Sequence, residues 1–364
     1  MKKLVHVITT ICRGGAENQL LILAREQVSG GRDVTVVFLK DTPELLEDFQ
    51  SAGVSVNKSC YEKNLFLQFI WMIRYFKDND VFIHAHLPRA EILVAATCMN
   101  RSFIVTRHNS EKFFPTMPTS ISSFLSRVVT RRAKSVIAIS NEVSIFLKKN
   151  KEIGERTKIH IIKYGFDDKM VMSQKNIIKS ELGLNDSDFI VGTVGRIVPQ
   201  KDYPTLLNAF ASFNNNVPHS KLLILGDGFL ASEMKLLTSK LNLDQNVLWL
   251  GRKSGIQDYL NIMDMFVLSS IYEGFGLVLL EALSVGVPIV ASNISAIPEV
   301  LGNEYPYLAK VGDYSDFADK MMSIYQANSD EIAELNLMSK GRLALFNSKQ
   351  MKEKVDSVYQ FSLA

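Results

Sequence analysis

Along the first half of the chain, short apolar runs alternate with longer stretches of helical spacing. Leu4–Thr9, Val34–Leu39, Val81–Ala85, Phe103–Thr106, Val136–Ser140 and Ile159–Lys163 predict strands, each nearly continuous in apolar residues as a strand covered on both faces must be. Between them Gln19–Gln27, Leu65–Phe76 and Ile121–Arg132 place apolar residues at helical spacing, with burial expected for Leu65–Phe76. After Phe166-Asp167-Asp168 the pattern restarts with strands at Phe189–Val194, Lys221–Leu225, Val247–Leu250, Met265–Leu268 and Pro288–Ala291. Strand–helix alternation of this kind means parallel sheets with helices on both faces. The chain therefore reads as two doubly wound α/β domains with a boundary near Gly165, residues 1–165 and 166–347.

In open parallel sheets, ligands bind beyond the carboxyl ends of the strands, and unusual residues gather there. Cys12-Arg13-Gly14-Gly15-Ala16-Glu17-Asn18 turns through glycine into a helix but does not match GxGxxG, which argues against a nicotinamide site. Arg107-His108-Asn109 follows the fourth strand, and the strand position moves His108 towards function. In the second half, Gly195-Arg196 and Lys201 follow one strand and Gly226-Asp227-Gly228 another. A guanidinium grips phosphate oxygens as a fork and an ammonium acts as a point charge, so Arg196 and Lys201 suit a diphosphate leaving group. Two cations can take the place of a divalent metal in stabilising its developing charge.

The richest stretch is Tyr272-Glu273-Gly274-Phe275-Gly276-Leu277, read as a glycine turn into a helix that starts at Phe275 and carries Glu281 about two turns in. The first turn of such a helix offers unpaired N–H groups and the positive end of its dipole to a phosphate. Gly274 and Gly276 let a ligand approach the main chain, and Glu281 suits vicinal hydroxyls.

Composition sharpens the picture in three ways. Hydrophobic residues at 47% and charged residues at 22% fit a globular protein with large cores. Cys12, Cys60 and Cys98 form neither a CxxC nor a zinc pattern, and no run approaches a membrane span, so a cytoplasmic protein is expected. Met1-Lys2-Lys3 leads into an apolar run too short for a signal-peptide core. The net charge of +3 hides a basic first half, with 24 Lys and Arg against 15 Asp and Glu in residues 1–164, and an acidic remainder with 17 against 23. Arg127, Arg131 and Arg132 form a basic stripe that, with apolar neighbours, would suit an acceptor or an anionic membrane surface. No nucleic-acid module supports a nucleic-acid partner. Asp78-Asn79-Asp80 spells a metal-binding DxD but precedes a strand, at the wrong end of the sheet for catalysis.

Taken in this order and spacing, Gly14-Gly15-Ala16-Glu17, Val194-Gly195-Arg196 with Lys201, Gly226-Asp227-Gly228 and Glu273 through Glu281 resemble the retaining glycosyltransferases of family 4 over essentially the whole chain. The resemblance implies a GT-B fold: two Rossmann-like domains facing across a deep cleft, the first binding acceptor and the second nucleotide sugar. The last helix, Gln350–Phe361 within residues 348–364, would cross back to the first domain through Met351, Val355 and Val358. It implies donor contacts from Gly14, Gly15, Gly226, Gly274, Phe275, Gly276, Leu277 and Glu281, and catalytic roles for His108, Arg196, Lys201 and Glu273. It implies retention of the anomeric configuration with no bound metal or other cofactor. A UDP-sugar is favoured as donor, and the acceptor is a saccharide, lipid-linked at the inner face of the cytoplasmic membrane, in bacterial surface polysaccharide assembly. One departure is Tyr164-Gly165-Phe166-Asp167, where the family often has Asn-Gly-hydrophobic-Asp. A sugar-nucleotide 2-epimerase and an inactive donor-binding or scaffold subunit are the competing readings.

Overall fold

The computed structural model describes residues 3–98, 101–154, 157–167 and 175–363. The chain forms two compact units, residues 1–167 with 346–364, and residues 168–345.

In the first unit the order is β1 (Lys3–Ile8), α1 (Gly15–Ser29), β2 (Val34–Phe38), α2 (Leu46–Ser51), β3 (Ser55–Asn57), α3 (Leu65–Asp78), β4 (Val81–His86), α4 (Pro88–Thr97), β5 (Phe103–Arg107), α5 (Thr119–Arg132), β6 (Ser135–Ala138), α6 (Asn141–Lys149) and β7 (Lys158–Ile161). The strands form one parallel sheet in the order β3-β2-β1-β4-β5-β6-β7. Strands β1, β2, β4, β5 and β6 are buried on both faces, which is why each reads as an unbroken apolar run. The edge strands β3 and β7 are partly exposed. The polar sequence Ser55–Asn57 gave no strand signal, and pairing with β2 alone makes it one.

The second unit continues with α7 (Lys175–Glu181), β8 (Phe189–Val194), a 3-10 turn at Pro199–Lys201, α8 (Tyr203–Asn216), β9 (Ser220–Leu225), α9 (Ala231–Lys240), β10 (Val247–Gly251), α10 (Ile256–Ile262), β11 (Met265–Leu268), α11 (Leu277–Val285), β12 (Ile289–Ser292), α12 (Ile297–Leu301), β13 (Leu308–Ala309), α13 (Tyr314–Gln326) and α14 (Ser329–Leu343). Its parallel sheet runs β10-β9-β8-β11-β12-β13. Strand β13, two residues long, is too short to show a pattern in sequence. Helix α8 packs Leu206, Phe210 and Phe213 against the sheet, and α13 adds Phe317 and Met321 to the same core.

The closing helix α15 (Ser348–Leu363) belongs to the first unit. Met351, Val355, Val358 and Tyr359 enter one core with Leu4, Ile8 and Leu20. Arg32, lying over the Tyr359 ring at 5.0 Å, pairs with Asp356 at 2.9 Å.

Two apolar helices differ from expectation. The first turn of α3 is exposed at Leu65, Phe66 and Leu67, whereas Met72 and Phe76 are buried. Helix α5 is largely inside out: Ile121, Phe124 and Val128 face solvent, while Ser122, Ser123, Ser126 and Thr130 are buried together with Val129. Three of these hydroxyls, those of Ser122, Ser126 and Thr130, meet backbone there. Ser126 and Thr130 donate to the carbonyl of Glu152 at 3.0 and 3.2 Å, Thr130 Oγ1 accepts from the N–H of Gly154, and Ser122 accepts from that of Phe114. Buried backbone groups need such partners, and an apolar helix face would leave them unpaired.

Candidate functional site

Each sheet reverses its winding at one point, between β1 and β4 in the first unit and between β8 and β11 in the second. The carboxyl ends of those strands are where a doubly wound sheet binds ligands. In the second unit, the candidate residues gather there. Arg196 follows β8 and is exposed. Lys201 ends the 3-10 turn, and its Nζ lies 2.5 Å from Oε1 of Glu273, which also accepts from Ser270 Oγ at 2.8 Å. The two loops are stitched together. The N–H of Ile271 donates to the carbonyl of Gln200, Gln200 Nε2 donates to that of Tyr272, and Ser269 Oγ donates to that of Lys201. Glu273 is 6% exposed, so its carboxylate and the ammonium form a largely desolvated pair.

Helix α11 begins at Leu277 rather than Phe275, because Gly276 takes the left-handed N-cap position at φ +85°. Glu281 therefore sits little more than one turn in. The N-terminus of α11 has no side-chain cap and no acidic residue in its first turn. Phe275 is buried beneath the turn. Burial pushes the Glu281 carboxyl up to about 7.

Gly226 has a structural reason to be glycine. At φ +143°, it donates its N–H to Gly251, and a Cβ there would overlap the carbonyl oxygen of Gly195. Its glycine identity lets the loops after β8 and β9 meet.

In the first unit, Gly14 caps α1, and the helix starts at Gly15. The Glu17 carboxylate folds back over Gly14 while accepting from Thr10 Oγ1 at 2.6 Å. A phosphate at the Gly15 N–H would share this turn with that carboxylate. His108 follows β5 and is 9% exposed, and both ring nitrogens are engaged, Nε2 with His86 at 3.1 Å and Nδ1 with the Tyr164 hydroxyl. Sequence reasoning found His108 but missed its partners His86 and Tyr164, because they lie on separate elements. Beside it, Arg107 lies 3.0 Å from Glu91 and 3.7 Å from Glu152, all three buried. Burial raises the Glu91 carboxyl to about 7.

The three arginines lie along α5 in different surroundings. Arg127 Nε donates to the carbonyl of Lys151 at 2.8 Å, and Arg131 and Arg132 are exposed at the end of α5. The DxD-like segment lies at the amino end of β4, away from the switch point: Asn79 caps α3 and Asp80 lies 3.8 Å from Arg101.

Two Rossmann-like parallel-sheet units, with glycine turns and charged side chains at their switch points, define a protein of the GT-B class. The model of the family "Glycosyltransferase Family 4" matches residues 13–169, and that of "Glycosyl transferases group 1" matches residues 174–338. The N-acetyl-alpha-D-glucosaminyl L-malate synthase of Bacillus anthracis is 31% identical over 298 residues, 78% of this chain and 74% of the relative. The Escherichia coli UDP-Gal:alpha-D-GlcNAc-diphosphoundecaprenol alpha-1,3-galactosyltransferase is 28% identical over 296 residues, 78% of this chain and 75% of the relative. Among solved structures, Anabaena HepE in complex with UDP-glucose superposes with a TM-score of 0.87 at 18% identity, covering 99% of this chain and all of that one. The chain belongs to glycosyltransferase family 4 and is a glycosyltransferase.

Proposed function

We propose that this enzyme transfers a hexosyl or N-acetylhexosaminyl group from a UDP-sugar to a saccharide acceptor, with retention and without a divalent metal, in bacterial surface polysaccharide assembly. The observation that carries this reading is the convergence, at the switch point of the second unit, of Lys201, Glu273 and the uncapped N-terminus of α11. The helix terminus and Arg196 suit the diphosphate, Lys201 its developing charge, and Glu281 the ribose hydroxyls. Glu273 then exchanges its bond to Lys201 for the donor sugar hydroxyls. In this scheme the acceptor oxygen bonds the anomeric carbon as the bond to phosphate breaks. The acceptor proton passes to the departing phosphate oxygen on the same face.

Residues 1–165 with the returning helix would bind acceptor, and residues 166–347 would bind donor. UDP is supported by the E. coli relative, named for UDP-Gal, and by HepE, bound to UDP-glucose. The two relatives are named for different acceptors, L-malate and a diphosphoundecaprenol-linked sugar. The exposed apolar row of α5 with Arg131 and Arg132 favours the second, held at an anionic bilayer surface. Among the described residues no helix is long and apolar enough to cross a membrane.

The test is nucleotide release across UDP- and GDP-sugars, with L-malate and lipid diphosphate sugars as acceptors and with or without EDTA. Release from one UDP-sugar that survives EDTA and falls by about a hundredfold in Glu273→Ala is expected. An isomerised donor would reveal an epimerase. Failure of every sugar nucleotide to bind would end the transferase reading.

A further inference from the structure

Four of the six histidines lie in one run of hydrogen bonds through the first unit that the transfer scheme leaves unused. It starts at Thr106 Oγ1, 2.7 Å from His84 Nε2, and His84 Nδ1 lies 2.8 Å from the Tyr359 hydroxyl. Gln27 Nε2 is 3.1 Å from that hydroxyl, and Gln27 Oε1 is 2.8 Å from His6 Nε2. His6 Nδ1 meets His86 Nε2 at 3.0 Å, His86 Nδ1 meets His108 Nε2 at 3.1 Å, and His108 Nδ1 meets the Tyr164 hydroxyl.

The amide of Gln27 gives the run a direction. Its carbonyl oxygen only accepts, so His6 Nε2 carries the proton. A neutral imidazole has one N–H, so His6 Nδ1 accepts from His86 Nε2–H. By the same rule, His86 Nδ1 accepts from His108 Nε2–H, and His108 Nδ1 accepts from Tyr164. On the other side, the Gln27 amide nitrogen donates to Tyr359, whose proton goes to His84 Nδ1, leaving His84 Nε2–H for Thr106. With the Gln27 amide in this orientation, every ring is the same Nε2–H tautomer. All four are neutral, because burial lowers His6 to about 4 and His108 to about 3, and lowers His84 and His86 well below their ordinary value. The charges around the run agree: Arg107 adjoins His108, Arg32 with its partner Asp356 adjoins His6, and Glu17 lies near Tyr164. His6, His84 and His86 are close enough together to hold a metal ion. Nitrogen pairs 3.0 Å apart are already sharing a proton, and a metal would displace it to reach its ligands at about 2.0–2.1 Å.

We propose that this run is a positioning device for the transfer reaction: Gln27 sets the tautomer of His108 through His6 and His86, and Tyr164 holds the remaining ring nitrogen. Tyr164 is the residue that departs from the family pattern, and here it supplies the terminal donor. The role in transfer rests on the proposed function and on the family resemblance, which gives His108 a catalytic role.

Imidazole nitrogen NMR of the full-length protein with labelled histidine, assigned by single-site variants, tests the tautomers. Between about pH 5.5 and 8 the four rings should stay neutral Nε2–H. An Nδ1–H form at His108, an imidazolium there, or stoichiometric bound metal overturns the proposal. In Gln27→Leu, His6, His86 and His108 should become mixtures of tautomers; an unchanged His108 spectrum refutes the role of Gln27. In Gln27→Glu, His108 should stay Nε2–H while His84 changes, since the carboxylate takes the Tyr359 proton. In Tyr164→Phe, kcat should fall by about tenfold or more with donor KM within about twofold. Unchanged kcat overturns the positioning role. Absence of any transfer by wild type overturns the functional reading and the positioning role together, while the spectra decide the tautomers separately.

Discussion

Glu281 carries a carboxyl raised to about 7 by burial, with no side-chain hydrogen bond to protein among the described residues. Ribose hydroxyls donating to it would favour the ionised form and pull its pKa down. Nucleotide binding near neutral pH is therefore expected to release a proton, seen by calorimetry in buffers of different ionisation enthalpy. Glu281→Gln should abolish the release and weaken UDP binding by about ten- to a hundredfold, the range for hydrogen bonds to a charged group. Equal affinity and no proton release would remove Glu281 from the nucleotide site. The contrast with Glu273 is instructive. Both were legible as candidate carboxylates, but one is paired with Lys201 and the other has no side-chain hydrogen bond among the described residues, and spacing says nothing of either environment.

At the scale of elements, α5 shows what periodicity does and does not specify. The spacing over Ile121–Arg132 correctly marks a helix, yet Ile121, Phe124 and Val128 point to solvent, because the Glu152 carbonyl and the Gly154 N–H beneath it meet hydroxyl partners. If this face meets an anionic bilayer, wild type should float with anionic vesicles. Phe124→Ser should weaken that binding by about tenfold or more, since burying such a side chain contributes roughly 1.5–3 kcal/mol. Removing Arg131 and Arg132 should weaken it by about 1 kcal/mol each and flatten its salt dependence. No binding to anionic vesicles at moderate salt would remove the bilayer from the proposal.

For the whole molecule, the buried titrating groups predict how stability follows pH. The four buried histidines stay neutral in the fold, while the unfolded chain takes up protons below about pH 6.5. Each therefore loses up to roughly 1.4 kcal/mol of stability per pH unit as pH falls from that value towards its folded one. Glu91 and Glu281, both raised to about 7, act oppositely: the native state holds a proton that the unfolded chain has released, so stability is lost as pH rises from about 4.5 to 7. Glu281 is partly exposed and counts for less. Burial raises Glu152 and Asp264 as well, and they act with these carboxyls; against four histidines the expected outcome is a Tm that falls between about pH 7 and 5, at about 2–4 °C per kcal/mol. A Tm that is flat or rises on acidification would show that the histidine run is protonated or solvated.

The sequence by itself determined the order of every strand except β3 and β13, the two doubly wound sheets and the glycine-marked loops at their switch points. Those are local properties: an apolar run buried on both faces and a chain reversal at glycine are written in consecutive residues. It also carried the family, because the motifs keep their order and spacing. Only the tertiary structure decided which side chains meet. Glu273 and Lys201 are 72 residues apart, and Gln27 and Tyr359 are 332 apart, joined because α15 packs into the core of the first unit. Register between parallel strands puts His6 opposite His84 across β1 and β4, and that register is a sum of many packing contacts with no signature in either segment alone. Burial, which changes a carboxyl or an imidazole by units of pKa, is likewise a property of what folds over it and not of the residue itself.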